Sequence, residues 1–233
     1  MLLAGFQKMT LKDYHGKIAT TVFTVGCNFR CPFCHNPELV SPTSEIIASF
    51  AGRDKQFFEF LEKRKGILDG VCITGGEPTV QKDIVAFIRR IKKMGFSVKL
   101  DSNGTRPEVL EEVFREGLVD YVAMDIKNGI ARYSETTHVV VNEENIRKSI
   151  RLIMKSGVPY EFRTTVVPGI HTEEDFEDMA KLIKGARAYY LQEFRDVTIL
   201  DPELRALAKG KTVDLERAAE RMRKAVKTVG IRK

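Results

Sequence analysis

A chain of 233 residues, 43% hydrophobic and 30% charged, is long enough to bury one sizeable core, and none of its apolar runs is long enough to cross a bilayer. Its net charge of +6 is confined to the stretch from Glu203 onward, ten Lys/Arg against four Asp/Glu, with 28 against 28 before it, which excludes a broadly basic surface. Four cysteines, three of them crowded into eight residues, do not make a framework of paired disulfides; reduced thiols and a cytoplasmic location are expected.

In chain order, Met1-Leu2-Leu3-Ala4-Gly5-Phe6 lacks the basic start and long apolar centre of a signal peptide, and no membrane partner is expected. Ile18 to Val25 is rich in β-branched residues and reads as a strand. It delivers the loop Gly26-Cys27-Asn28-Phe29-Arg30-Cys31-Pro32-Phe33-Cys34-His35-Asn36-Pro37, stiffened by two prolines. Three thiolates on one short loop can ligate three corners of a cubane iron–sulfur cluster and leave its fourth iron open to a substrate. Structural zinc is the rival, since Cys27, Cys31, Cys34 and His35 supply a Cys3His set. Zinc sites usually split their ligands into two separated pairs, however, and His35 beside Cys34 would strain to join the same tetrahedron.

Beyond the loop, the spacing predicts a helix over Asp54 to Arg64, a short buried strand Val71 to Thr74 with Cys72 as a core thiol, and a helix from Gln81 to Met94. The alternation continues through strand Ser97 to Ser102, helix Pro107 to Glu116, strand Asp120 to Asp125, helix Glu143 to Ser156 and strand Tyr160 to Val167. Thr172-Glu173-Glu174-Asp175 opens a helix to Lys184, and a last strand runs from Ala188 to Gln192. Asn128 to His138 reads as a long loop. A basic helix spans about 213–229, its Arg217, Arg221, Lys224 and Lys227 lying mostly outside the apolar stripe Leu215, Ala218, Ala219, Met222, Ala225, Val226 and Val229. That face is either solvated or docks an acidic partner; nucleic-acid binding is disfavoured because no aromatic residues interleave with the charges.

Six strand-then-helix units with short links predict an α/β fold, a partial (βα)6 TIM-like barrel of parallel strands with outer helices, in a single domain over 1–233. In such folds, functional groups gather at the C-terminal ends of the strands. The unusual residues fall there repeatedly: the cysteine loop, Gly75-Gly76-Glu77-Pro78, Asp101-Ser102-Asn103-Gly104, Asp125 with Lys127, Arg163 with Pro168-Gly169, and Gln192, Phe194 and Arg195. His15, His138 and His171 read as polar surface residues, and no nucleophilic triad or paired-carboxylate hydrolytic site emerges.

CxxxCxxC with an aromatic residue, Phe33, before the third cysteine resembles the signature of radical S-adenosylmethionine (SAM) enzymes. The wider run Gly5-Phe6-Gln7-Lys8, Asp13-Tyr14, Gly16-Lys17 and Gly26 to Leu39 resembles the activating proteins of anaerobic, glycyl-radical ribonucleotide reductases. The resemblance implies a 4Fe-4S cluster on Cys27, Cys31 and Cys34, and SAM seated by Gly75, Gly76 and Glu77, which are similar to the family's GGE run. Asp101-Ser102-Asn103-Gly104 and Asp125-Ile126-Lys127 resemble the DTNG and DLK segments of glycyl-radical activating enzymes, where the aspartates help hold a monovalent cation and the lysine reaches the methionine carboxylate. For Asn103-Gly104 a simple turn, and for Asp125 a helix-initiating carboxylate, are the alternatives.

Arg163, in an alternating strand, requires an anionic partner, either the SAM carboxylate or a structural ion pair. Val167 can wall the adenine or simply pack, and Gln192 and Phe194 can contact the base. The pyruvate formate-lyase activating branch favours a histidine in that last region. The implied reaction is reductive cleavage of SAM to methionine and a 5′-deoxyadenosyl radical, which removes a hydrogen from a glycine of the anaerobic ribonucleotide reductase. The electron would come from a low-potential donor such as flavodoxin or ferredoxin. Two other readings stand beside it: a radical SAM enzyme acting on another glycyl-radical enzyme or a small molecule, and a zinc-stabilised binding protein.

Overall fold

All of residues 1–233 are described here from a computed structural model, in which strands are joined by one or more helices except between the first two, and the chain divides into two compact units. The first comprises Met1–Asn28, Glu38–Ser102 and Arg106–Val122; the second comprises Phe29–Pro37, Asn103–Thr105 and Ala123–Lys233. No helix is long and apolar enough to cross a membrane.

The first unit holds β1 (Leu3–Thr10), β2 (Ala19–Thr24), β3 (Gly70–Gly75) and β4 (Ser97–Ser102), neighbouring one another in chain order. β1 runs antiparallel to β2, and the pairs β2 with β3 and β3 with β4 are parallel, so that Thr21, Cys72 and Lys99 are cross-strand neighbours. β1 escaped the sequence reading because its exposure runs in blocks, with Gln7, Lys8 and Met9 consecutively exposed, and shows no alternation; its pairing with β2 is what makes it a strand. The connecting helices begin with α1 (Pro37–Val40), α2 (Ser44–Ser49) and α3 (Arg53–Glu62). They continue with α4 (Ile84–Lys93) and α5 (Pro107–Arg115). α4 buries Ile84, Phe87, Ile88 and Ile91 on one stripe, as helical spacing requires. Its Phe87 stacks 5.8 Å from Phe57 of α3, whose other face meets Phe6 of β1 at 5.3 Å.

β5 (Tyr121–Asp125) begins in the first unit and ends in the second. The second unit continues with α6 (Tyr133–Thr137), α7 (Glu143–Lys155), β6 (Tyr160–Val166), α8 (Glu173–Leu182) and β7 (Ala188–Glu193). It ends with α9 (Leu204–Ala208), α10 (Leu215–Arg223) and β8 (Thr228–Arg232), with β6, β7 and β8 parallel. The expected capping arrangement of α8 is present: the Asp175 carboxylate accepts from the Thr172 backbone N–H at 2.7 Å.

Three expectations are corrected here. The long loop over Asn128 to His138 contains α6, organised by the buried Asn128, whose amide donates to Thr136 Oγ1 at 2.8 Å and whose Oδ1 accepts from Gly129 N at 2.6 Å. The C-terminal helix does not reach 229; α10 stops at Arg223, and β-branched Thr228, Val229 and Ile231 pair instead with β7. Arg217, Lys224 and Lys227 are exposed, as a solvated face requires, and Arg217 pairs with Glu173 of α8 at 2.9 Å and Arg221 with Glu173 and Glu177. Last, His171 is buried rather than at the surface.

Candidate functional site

In the first unit the groups singled out by the sequence sit at the C-terminal ends of parallel strands. After β2, the cysteine loop is tied at its stem: Gly26 N donates to Leu39 O at 2.7 Å and Cys27 N to Val40 O at 3.2 Å. After β3, Gly76 N donates to Thr24 O and Glu77 N to Gly26 O, both at 2.9 Å, and the Gln81 side chain donates to Val25 O. The Gly75-Gly76 run and the cysteine loop therefore share a backbone seam. Gly75 has φ +112, and a Cβ there would overlap Thr24, while one on Gly76 would overlap the Gly26 carbonyl. These glycines are required by the approach of two protein backbones. Gly76→Ala is accordingly expected to cost about 1–3 kcal/mol of stability and to displace Cys27. Thermal unfolding together with bound iron after reconstitution measures both effects, and unchanged values of each would contradict the seam's role.

Glu77 is 1% exposed. Its Oε1 accepts from Thr79 N at 3.0 Å, Thr79 Oγ1 at 2.5 Å and Ser102 Oγ at 2.9 Å. Hydrogen bonds of this kind fix the carboxylate's position. One residue back on β4, Asp101 is paired with Lys99, Nζ to Oδ1 at 2.5 Å, with Cys72 Sγ 3.6 Å from the same ammonium. Cys72 is buried in the core, as its place in an apolar strand suggested.

In the second unit, Cys31 to Cys34 forms a tight turn, with Cys34 N donating to Cys31 O at 3.0 Å. It is held from outside: Arg30 N donates to Thr137 O at 2.9 Å and Asp201 N to Pro32 O at 3.0 Å. The Phe33 ring lies edge-on to His171 at 6.5 Å, and Lys127 Nζ is 5.9 Å from its centroid. Lys127 also pairs with Asp125 at 3.0 Å, and Arg163 Nε meets the other Asp125 oxygen at 2.9 Å. Of the two partners open to Arg163, the structure contains the ion pair. Burial alone would raise the Asp125 carboxyl, but the Arg163 guanidinium and Lys127 ammonium outweigh it and hold Asp125 far below the usual carboxylate range. Burial likewise opposes the charge on Lys127, but Asp125 and then the Cys31 sulfur overcome it and keep the lysine firmly protonated.

Asn103 closes a turn, its Oδ1 accepting from Thr105 N at 3.1 Å and Thr105 Oγ1 at 2.7 Å. Val167 is fully buried, and its N–H donates to His171 Nδ1 at 2.9 Å. Gln192 and Phe194 lie at the end of β7; Phe194 stacks on His35 at 5.9 Å, and His35 Nε2 is 2.9 Å from Arg195 O. His35 is thus held against β7's end through its ring face and Nε2. Sequence reasoning missed this clamp; the one available signal was an aromatic residue, Phe194, directly after the strand.

It missed His171 as well. With Val167 N–H donating to Nδ1, the ring proton is on Nε2 and donates to Lys127 O at 2.9 Å, so a neutral tautomer ties the Val167 turn to the Lys127 segment. Burial lowers its pKa below 6.5. Below that ordinary value the unfolded chain takes up a proton that the folded one refuses, so stability is full above about 6.5 and declines as pH falls towards the folded pKa. Thermal melts from pH 7.5 to 5.5 are expected to show this decline, and His171→Gln to flatten it. Parallel curves for the two proteins would exclude His171 as its source.

None of the four cysteines is in a disulfide. The sequence profile of the Radical SAM superfamily matches residues 21–183, more than half of the chain and including the whole loop. The chain belongs to the radical SAM superfamily. Among curated relatives of this superfamily member, a Methanocaldococcus jannaschii protein provisionally designated a glycyl-radical enzyme activating enzyme is 36% identical across 99% of this chain and 95% of its own. The pyruvate formate-lyase-activating enzyme of Streptococcus mutans is 30% identical over 71% of this chain and 64% of its own. Among solved structures, Streptococcus suis SuiB superposes with a TM-score of 0.67 at 16% identity, covering 91% of this chain and 48% of SuiB, so the chain spans about half of that protein. A domain of the pyruvate-formate lyase-activating enzyme of Bacteroides vulgatus gives 0.53 at 18% identity, over 70% of this chain and 99% of that domain. These likenesses share the expected fold, a partial TIM-like barrel of parallel strands and outer helices. The loop's residue types suit the superfamily's cluster, with three thiols outside any disulfide and a tight Cys31–Cys34 turn, although no three His, Cys, Asp or Glu side chains are gathered into a ready-made metal site.

Proposed function

We propose that this radical SAM protein is a glycyl-radical enzyme activase whose target is an anaerobic ribonucleotide reductase. The full-length similarity to an activating enzyme carries the reading, supported by the residues of the loop and of the Gly75–Glu77 seam. Cys27, Cys31 and Cys34 would hold a 4Fe-4S cluster, which when bound supplies the electron for reductive cleavage of SAM. Glu77, pinned by Thr79 and Ser102, offers a fixed carboxylate to the SAM ammonium. Lys127 and Arg163 present positive charge for the methionine carboxylate, with Asp125 setting their positions. Gly75, Gly76, Ser102 and Asn103 shape the backbone around the methionine end, and Phe33, Val167, Gln192 and Phe194 supply surface for the adenine. A hydrogen-atom transfer needs no titrating base. The electron donor is a low-potential flavodoxin or ferredoxin, in the cytoplasm.

The test is anaerobic reconstitution with SAM and a strong reductant, followed by addition of the candidate reductase. We expect 5′-deoxyadenosine and a glycyl-radical doublet in the electron paramagnetic resonance spectrum. Absence of 5′-deoxyadenosine from an iron-loaded protein would overturn the reading. A second reading, a small-molecule substrate, is favoured by one observation: the 7-carboxy-7-deazaguanine synthase of Thermococcus kodakarensis is 28% identical over 77% of this chain and 75% of its own. 5′-Deoxyadenosine without a protein radical on either a reductase or a formate-lyase would select it.

A further inference from the structure

The resemblance assigns Asp101 and Asp125 to a monovalent cation, but both carboxylates are already engaged by fixed cationic side chains, and this donor set does not fit a metal ion. We propose that this chain has built the cation into its own sequence: Lys99 supplies to Asp101 the positive charge that a bound sodium or potassium ion would otherwise provide. Lys99 and Asp101 stand two apart on β4 and so share one face, which lets the lysine lie along the strand with its ammonium on Oδ1 at 2.5 Å. The pair is nearly dry, its side chains 5% and 12% exposed. A buried carboxylate must be neutralised or paired, and a buried lysine equally so; here each meets the other's need. Cys72, in register with Lys99, places a polarisable sulfur 3.6 Å from the ammonium. Asp125, in the second unit, follows the same rule with Arg163 at 2.9 Å and Lys127 at 3.0 Å. Any additional monovalent ion at either carboxylate would lie beside protonated side chains and be repelled by them.

The experiment uses the full chain with its cluster reconstituted, in KCl or NaCl against choline chloride at equal ionic strength. It reads the melting temperature and the equilibrium affinity for SAM. Wild type is expected to differ by less than about twofold in SAM affinity, with unchanged melting temperature, because no metal ion binds the native state selectively. Lys99→Met strips the internal cation; its melting temperature is expected to fall in choline and recover by several degrees in KCl or NaCl. Lys99→Met/Asp101→Asn removes the demand as well and is expected to respond to neither salt. A wild-type protein that gains melting temperature or SAM affinity from potassium or sodium over choline would overturn the proposal, as would a Lys99→Met variant indifferent to the salt. The wild-type arm decides the matter even where the variant does not fold. Because neither readout involves an acceptor protein, failure of the reductase as target would leave this result standing.

Discussion

Replacing Cys27, Cys31 or Cys34 by alanine is expected to abolish 5′-deoxyadenosine formation, whereas Cys72→Ala retains it. The first three share the loop whose stem is pinned by Gly26 to Leu39 and Cys27 to Val40, and whose tip is the Cys31–Cys34 turn. Removing one thiolate leaves two donors for a cube that needs three from the protein, and the iron content of the reconstituted protein should fall with the activity. Cys72 lies in the core beside Lys99, and its loss removes one small side chain at a cost of about 1 kcal/mol. Iron analysis, the visible charge-transfer absorbance and product formation measure the contrast. Equal iron loading in Cys34→Ala and wild type would refute the assignment of that thiol.

Glu77→Gln is expected to weaken SAM binding by about tenfold or more, the loss of one charge-assisted hydrogen bond worth about 1.5–3 kcal/mol. The glutamine keeps the shape and can still accept from Thr79 and Ser102, so the fold should persist. Glu77→Ala goes further. It strands the Thr79 N–H, the Thr79 hydroxyl and the Ser102 hydroxyl in a buried place, each loss costing about 1–3 kcal/mol. The pair separates two roles: a purely structural Glu77 would show full SAM affinity in the glutamine variant and a melting-temperature loss in the alanine one. Equilibrium dialysis with labelled SAM and thermal melts give both numbers.

Much of this protein was legible before any coordinates. Six strands and most of the helices followed from apolar periodicity, and the end of each parallel strand could be marked as a place for chemistry because its unusual residues fell there. β1 and β8 were not, since edge strands with mixed exposure carry no period of their own and exist through their partners β2 and β7. α6 hid in a segment whose order comes from the buried Asn128 amide.

What the sequence by itself determined was the donor set: three thiols at CxxxCxxC spacing, a Gly-Gly-Glu turn after a strand, and the parallel alternation that carries them. Those features are local, fixed by chain spacing and backbone preference. Only the tertiary structure decided partnership. It gave His35 to Phe194 and Arg195, His171 to Val167 and Lys127, Arg163 to Asp125, Lys99 to Asp101, and Arg217 and Arg221 of α10 to glutamates of α8. The physical reason is that a buried charge or ring nitrogen must be satisfied by whichever group the fold brings within about 3 Å, and for long-range pairs that group is set by packing between elements, which no spacing along the chain encodes.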